Sequence, residues 1–233
     1  MTEREFKEKL RELSIEFDDN KLRQLDNYYN LLAEYNKVMN LTRIIDKKEV
    51  YLKHFYDSLT IVKTINLKLE ENLCDIGTGA GFPGIVIKIF FPHLKVTLID
   101  SLNKRIQFLN IVIEELDLKE IEAIHSRIED YGRLNQEKFD VVTSRAVAQL
   151  NILLEYAIPI LKLNKYFIAM KGKEEKKENY TKSLLKLKSE VIEIQKFKLP
   201  NEESDRTIYK FQKKDKTNKI FPRKYSEIKK RPL

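Results

Sequence analysis

The 233-residue chain holds one cysteine, three histidines and six glycines, and each scarcity removes a class of protein. A lone Cys74 cannot build a disulfide framework. His93 and His125 lack Cys, Asp or His partners at ligand spacing, so no metal centre is expected. No apolar run approaches the roughly 20 residues that span a bilayer. No arginine-flanked apolar leader is present either, so a cytoplasmic protein in a reducing compartment, away from membranes, is expected. What remains, 42% apolar and 10% aromatic, is enough for a sizeable core, and the length suits one α/β domain with a modest attachment.

Charge is plentiful and unevenly placed. The chain carries a net charge of +8, and Lys213–Leu233 alone has nine Lys or Arg against Asp215 and Glu227. A second stretch, Lys162–Lys198, has eleven Lys against five Glu. Clustered cations release counterions condensed on phosphates, so the asymmetry points to a polyanion. A solvated lysine-rich face is the plainer reading of the same pattern.

Apolar periodicity divides the chain. Phe6, Leu10, Leu13 and Phe17, then Leu22, Leu25, Tyr29, Leu32 and Tyr35, recur at helical spacing, and a third helical stretch is expected from Asp46 to Ile65. Beyond Glu71, "NLCDIG", "KVTLID", "EAIHSR", "FDVVTSR" and "KYFIAMKG" read as strands. They alternate with helical stretches Gly84–Phe91, Asn103–Leu116, Ala148–Leu161 and Glu174–Ser189, which implies a parallel sheet covered on both faces. "EVIEIQKFKL" and "DRTIYKFQK" have no helix between them and should form an antiparallel hairpin at the sheet edge.

Four of the six glycines fall within "CDIGTGAGFPG", Cys74–Gly84, at the end of the first expected strand. Ligands of open α/β sheets bind beyond the carboxyl ends of strands, and glycines let backbone approach them closely. Two ligands compete. Gly77-x-Gly79-x-Gly81 suits a nucleoside-methionine, Gly79-x-Gly81-x-x-Gly84 suits a dinucleotide, and Asp100 could take ribose hydroxyls in either case. A carboxylate at Asp75 would repel a pyrophosphate and favour the ammonium and sulfonium of S-adenosylmethionine.

Taken together, "NLTRI", "HFYDSL", "DIGTGAGFPG", "VTLIDSLNKRIQFL", "SRAVAQL", "MKG" and "FPRKYSEIKKRPL" resemble the bacterial glucose-inhibited division protein B family, the ribosomal RNA small subunit methyltransferase G family. The resemblance runs from about Asn36 to the C-terminus; "KYSEIKK" departs from a usually glycine- and proline-containing stretch. It implies a Rossmann-like class I methyltransferase sheet, mostly parallel with an antiparallel edge hairpin, plus an N-terminal helical extension. It implies transfer of methyl from S-adenosylmethionine to nitrogen 7 of a guanosine in small-subunit rRNA. It also implies cofactor contacts at Gly77 and Phe82, an adenine-side pair at Ile128 and Glu129, and a cofactor-side Arg145.

The residue chemistry agrees. Methylation of pyrimidine carbon 5 needs a covalent nucleophile, yet Cys74 lies in a strand. Exocyclic amines usually meet an Asn/Asp-Pro-Pro-aromatic loop, where this chain reads "TSRA". Guanine N7 offers a lone pair and no proton, so no general base is assigned. Arg145 is the expected positioning residue. His54 and Asp57 either face the substrate or form a helix-surface pair, and Tyr28, Tyr29 and Tyr35 read as helix core. Cofactor contacts are expected at Asp75, Gly77, Gly79, Gly81, Phe82, Asp100, Ile128, Glu129 and Arg145. RNA contacts are expected at Lys171, Arg223, Lys224, Lys229, Lys230 and Arg231. The expected organisation is a helical extension over 1–65, a methyltransferase core over 66–214 and a basic tail over 215–233. The tail is assigned to RNA docking, the competing possibility being that it packs over the sheet and closes the cofactor pocket. A monomer acting on small-subunit rRNA or the 30S particle is expected. The runners-up are a non-catalytic RNA-binding or assembly factor and a nucleotide-dependent oxidoreductase.

Overall fold

The computed structural model describes residues 1–145, 148–172, 174–202 and 204–233. Ala146 and Val147 of "SRAVAQL" lie outside the described residues. Helix α1 (Glu3–Glu12) opens with a capping box in which Thr2 accepts from the Glu5 N–H while the Glu5 carboxylate accepts from the Thr2 N–H. Helix α2 (Asp19–Met39) is capped by Asp18, which accepts from the Lys21 N–H, and stops at Asn40 in the left-handed region. The third helical stretch is composite. Helix α3 (Lys47–Val50) runs into a π-helical turn (Tyr51–Tyr56), then α4 (Asp57–Leu59) and a 3₁₀ turn (Thr60–Lys63).

Seven strands follow, β1 (Asn72–Ile76), β2 (Lys95–Asp100), β3 (Ile121–His125), β4 (Phe139–Arg145), β5 (Leu161–Lys171), β6 (Ser189–Lys198) and β7 (Asp205–Lys213). Their order is β3-β2-β1-β4-β5-β7-β6, with the first five parallel and β7 antiparallel to both β5 and β6. The mostly parallel sheet with an antiparallel edge pair is therefore as expected. Strand order reverses between β1 and β4, which opens a crevice at their carboxyl ends.

Helices α5 (Gly84–Phe90), α6 (Asn103–Glu115), α7 (Ile128–Leu134), α8 (Leu150–Ala157), α9 (Thr181–Lys186) and α10 (Tyr225–Lys230) cover the sheet. Neither α7 nor α10 is legible as a helix in the sequence. The first carries Gly132 and the second is six residues of mostly polar chain. Helix α8 is shorter than expected because Pro159 has no N–H to continue its hydrogen bonding. The expected Glu174–Ser189 helix is a 3₁₀ turn (Lys177–Asn179) followed by α9; its charged first half has no apolar face to bury.

Each face of the sheet has its own core. On one, Phe6, Leu10, Leu25, Tyr28 and Phe55 of the N-terminal helices join Phe108 and Val112 of α6. On the other, Leu153 and Leu154 of α8 meet Tyr209 and Phe211, and the cluster extends to Phe221, Ile228 and Leu233. The N-terminal helices and the basic tail are thus each built into a core. The tail is tied by Arg223, whose Nε and Nη2 donate to the two oxygens of Glu155 at 2.7 and 2.6 Å. Glu155 has no exposure to solvent.

Breaking a buried pair strands the remaining charge, which costs about 3–5 kcal/mol. Arg223→Ala should therefore lower the free energy of urea unfolding by about 3 kcal/mol. A loss below ~0.5 kcal/mol, the level of an ordinary surface substitution, would contradict the anchoring role.

Candidate active site

The glycine loop is strung between two buried carboxylates. Asp75, next to last in β1, directs Oδ2 at the loop, accepting from the Thr78 hydroxyl (2.7 Å) and the Gly84 N–H (2.9 Å). Asp100 ends β2 and accepts from the Gly79 N–H (3.0 Å), Arg105 Nη1 (3.0 Å) and the Leu102 N–H (2.9 Å). Side chains would not fit this arrangement. A Cβ on Gly81, whose φ is +103°, would lie 2.6 Å from the Tyr28 hydroxyl, and one on Gly84 would meet Leu98 at 2.3 Å. Tyr28 is fully buried, as its helix-core reading requires, and donates to the Ala80 carbonyl at 2.5 Å, so α2 supports the loop from below.

Arg145, the last residue of β4, is clamped at the crevice. Its Nη1 donates to the Lys53 carbonyl (2.7 Å) inside the π-helical turn and approaches Asp57 Oδ2 at 3.4 Å, while Nη2 lies 3.1 Å from His54 Nδ1. The guanidinium also sits 5.2 Å over the Phe82 ring, and the His54 ring stacks on the same Phe82 at 4.5 Å. Arginine has no acceptor, so His54 Nδ1 must accept and Nε2–H must donate to Thr42 Oγ1 at 2.9 Å. The 3.2 Å approach of Nδ1 to the Lys53 carbonyl therefore carries no proton. Burial, reinforced by the Arg145 charge, lowers the His54 pKa to about 3 and keeps the imidazole neutral. Burial also pulls the Arg145 guanidinium below its ordinary value, against the raising effect of Asp57 and Asp75. Asp57 is shared, because Arg206 Nε donates to both its oxygens at 3.0 and 3.1 Å.

These groups line a cleft of about 820 Å³, within the range of about 300–1,000 Å³ usual for small-molecule sites. Gly77, Gly79, Phe82, Asp100, Ile128, Glu129, Arg145 and Lys171 of the expected residues are on its wall. Asp75 and Gly81 are not. Asp75 is fully buried beneath the loop, holding it rather than facing an ammonium, and Gly81 turns its Cα toward Tyr28. His54 and Asp57 are buried cleft residues and not a surface pair. Thr42, Lys53, Tyr156 and Arg206 also line the cleft, unanticipated as site residues, and Tyr225 of the tail joins them. "NLTRI" flagged Thr42 only as a motif, and Arg206 meets Asp57 across 149 positions. Of the tail cations, Lys224, Lys229, Lys230 and Arg231 are exposed, whereas Arg223 is half-buried with its Nε and Nη2 on Glu155.

The wall fits a nucleoside carrying a donor group. Glu129 Oε1 is buried with no hydrogen-bond partner, and the space over the Gly79 Cα is open. Among the described residues no three His, Cys, Asp or Glu are grouped to hold a metal, and no helix is long and apolar enough to cross a membrane.

Two buried groups pull the pH dependence of stability in opposite directions. His54 is lowered from 6.5 to about 3, so the unfolded chain binds the extra proton between those values and its contribution is lost as pH falls. Asp75 is raised by burial from 3.8 to about 6, so the folded chain binds the extra proton and its contribution is lost as pH rises through that window. Relative to wild type, Asp75→Asn should lose stability on acidification from pH 6 to 4.5, and His54→Gln should gain it. Each slope approaches about 1.4 kcal/mol per pH unit. Urea unfolding at several pH values checks this, and difference profiles that are flat for both variants would refute the assignment.

The family model for rRNA small subunit methyltransferase G matches residues 21–208. A ribosomal RNA small subunit methyltransferase G from Staphylococcus carnosus is 45% identical over 231 residues, covering 97% of this chain and 96% of its own length. One from Exiguobacterium sibiricum is 45% identical over 237 residues, covering 100% of both chains. Among solved structures, an S-adenosylmethionine-dependent methyltransferase from Aquifex aeolicus superposes with a TM-score of 0.52 at 19% identity, over 72% of this chain and 94% of that one. A 16S rRNA adenine-N1 methyltransferase from Catenulisporales acidiphilia does so with a TM-score of 0.53 at 14% identity, over 65% of this chain and 88% of that one. At such identities the structural likeness speaks for the fold, whereas the full-length sequence matches place this chain in the rRNA small subunit methyltransferase G family.

Proposed function

We propose that the protein transfers a methyl group from S-adenosylmethionine to nitrogen 7 of a guanosine in small-subunit ribosomal RNA. The observation that carries this reading is the chemistry around Arg145: a fixed cation, a neutral imidazole, and a carboxylate already engaged by two arginines. None of these is free to remove a proton, and N7 has none to remove. A covalent route is unsupported, because burial pushes the fully buried Cys74 thiol up, away from its nucleophilic form.

The cofactor, when bound, supplies an electrophilic methyl on a sulfonium. The chain's own residues hold and orient. Asp100 and the loop amides take the ribose and amino-acid side, Ile128 and Glu129 take the base, and Gly77 and Phe82 shape the floor. Arg145, immobilised by Lys53, Asp57 and His54, positions the acceptor and shields the reacting end from water. Exposed Lys224, Lys229, Lys230 and Arg231 contact RNA phosphates, whereas Lys171, expected to do so, is paired with Glu175 at 2.8 Å on the cleft wall. We take a monomer as the active form, working on rRNA or the 30S particle in the cytoplasm.

Arg145→Ala should reduce methylation of 30S particles at least tenfold, since one positioned cation at a reacting centre contributes several kcal/mol. The fold should survive, because Asp57 keeps Arg206 as a partner. Arg145→Lys should also fail, as one ammonium cannot replace the planar fork that reaches three groups. Mass spectrometry of 16S rRNA from a deletion strain, complemented with each variant, checks both the chemistry and the residue. Intact 7-methylguanosine in the deletion strain would refute the activity, and full restoration by Arg145→Ala would refute the residue's role.

A further inference from the structure

We infer that the C-terminal segment completes the cofactor site, with the Tyr225 ring closing over the purine at the base end of the cleft. The inference rests on the cleft being an S-adenosylmethionine site. Tyr225, the first residue of α10, lines the cleft beside Arg127, Ile128, Glu129 and Tyr156. The Arg127 guanidinium lies 4.5 Å from the centre of its ring and Lys229 Nζ lies 5.9 Å from it.

Position along the sheet decides what the ring meets. The cleft crosses the carboxyl ends of β4, β1, β2 and β3, with Arg145 at the first, Asp100 at the third, and Arg127, Ile128 and Glu129 just after the last. A nucleoside with ribose at Asp100 and its sulfonium toward Arg145 must place its base beside Glu129. Glu129 Oε1 accepts no hydrogen bond there, with Arg127 Nη1 3.8 Å away, and adenine's exocyclic amine is a donor. A flat purine is best covered by an aromatic face, and Tyr225 is the ring that the tail brings to this end.

The segment is anchored firmly enough to serve as a wall. Beyond the Arg223–Glu155 pair, Gln136 Nε2 donates to the Phe221 carbonyl (3.0 Å), Arg133 Nε to the Pro222 carbonyl (3.2 Å) and Ser183 Oγ to the Leu233 carbonyl (3.2 Å). Ile228 on α10 is buried while Lys224, Lys229 and Lys230 face solvent. One short helix thus offers an inner aromatic to the cofactor and outer cations to a phosphate backbone.

Calorimetry with the full-length chain tests the inference, using S-adenosylhomocysteine and 5′-methylthioadenosine, which share adenine and differ in the amino-acid end. Tyr225→Ala should weaken both ligands at least fivefold and to a similar degree, and Tyr225→Phe should restore them. Because Tyr225 is 42% exposed, a circular-dichroism melt of Tyr225→Ala should match wild type, which separates lost binding from lost folding. Wild-type affinity in Tyr225→Ala overturns the inference, as does a loss confined to 16S rRNA binding, which would make the ring an RNA contact. If wild type binds neither ligand, the cofactor reading of the cleft falls and this inference falls with it.

Discussion

The buried Asp75 carboxylate is the fixed point of the structure. It lies beneath the glycine loop, near the end of the middle parallel strand, where β1 neighbours both β2 and β4. Through Thr78 and Gly84 it ties the loop's start to the first turn of α5, and across the loop Asp100 takes the Gly79 N–H. A loop pinned at three points presents its backbone to a ligand without first paying to become ordered. Burial raises the Asp75 carboxyl, and its Oδ1 has no partner, so the strain of holding the loop sits in the core and not in the cleft.

A second constraint grows from the first. Phe82, carried by the loop, packs against Tyr28 and Phe55 of the N-terminal helices and offers its face to His54 and Arg145. The π-helical turn puts the Lys53 carbonyl where Arg145 can reach it, and Asp57 joins Arg145 to Arg206 of the edge hairpin. Elements from both termini of the chain and from the sheet therefore converge on one guanidinium. The N-terminal helical region lines the Arg145 end of the cleft and the C-terminal segment its Glu129 end, so neither is an ornament on the core.

Much of this was legible in the sequence, and the limits are physical. Strands β1, β2 and β4 announce themselves because both faces of a covered parallel sheet demand apolar runs, and the β6–β7 pair shows because only a short polar turn separates it. Local chemistry identified Gly79, Asp100 and Arg145 as ligand-end residues, and all three line the cleft. Orientation was not legible. Asp75 and Asp100 both lie at the carboxyl ends of strands, yet one bonds beneath the loop to Thr78 and Gly84 and the other lines the cleft. Nor were long-range partners, since nothing near Arg206 signals Asp57 and nothing near Arg223 signals Glu155. The tail's positive charge suggested RNA along its whole length, whereas its sparse apolar residues, Phe221, Ile228 and Leu233, decide where it lies.

A crystal structure of the full chain with S-adenosylhomocysteine tests the central claim most directly. The ribose hydroxyls should lie at Asp100, the base between Glu129 and Tyr225, and the sulfur toward Arg145, with the Asp75 hydrogen bonds to Thr78 and Gly84 intact. A ligand bound in the reverse direction, with its base at Arg145, or bound away from the glycine loop, would contradict it.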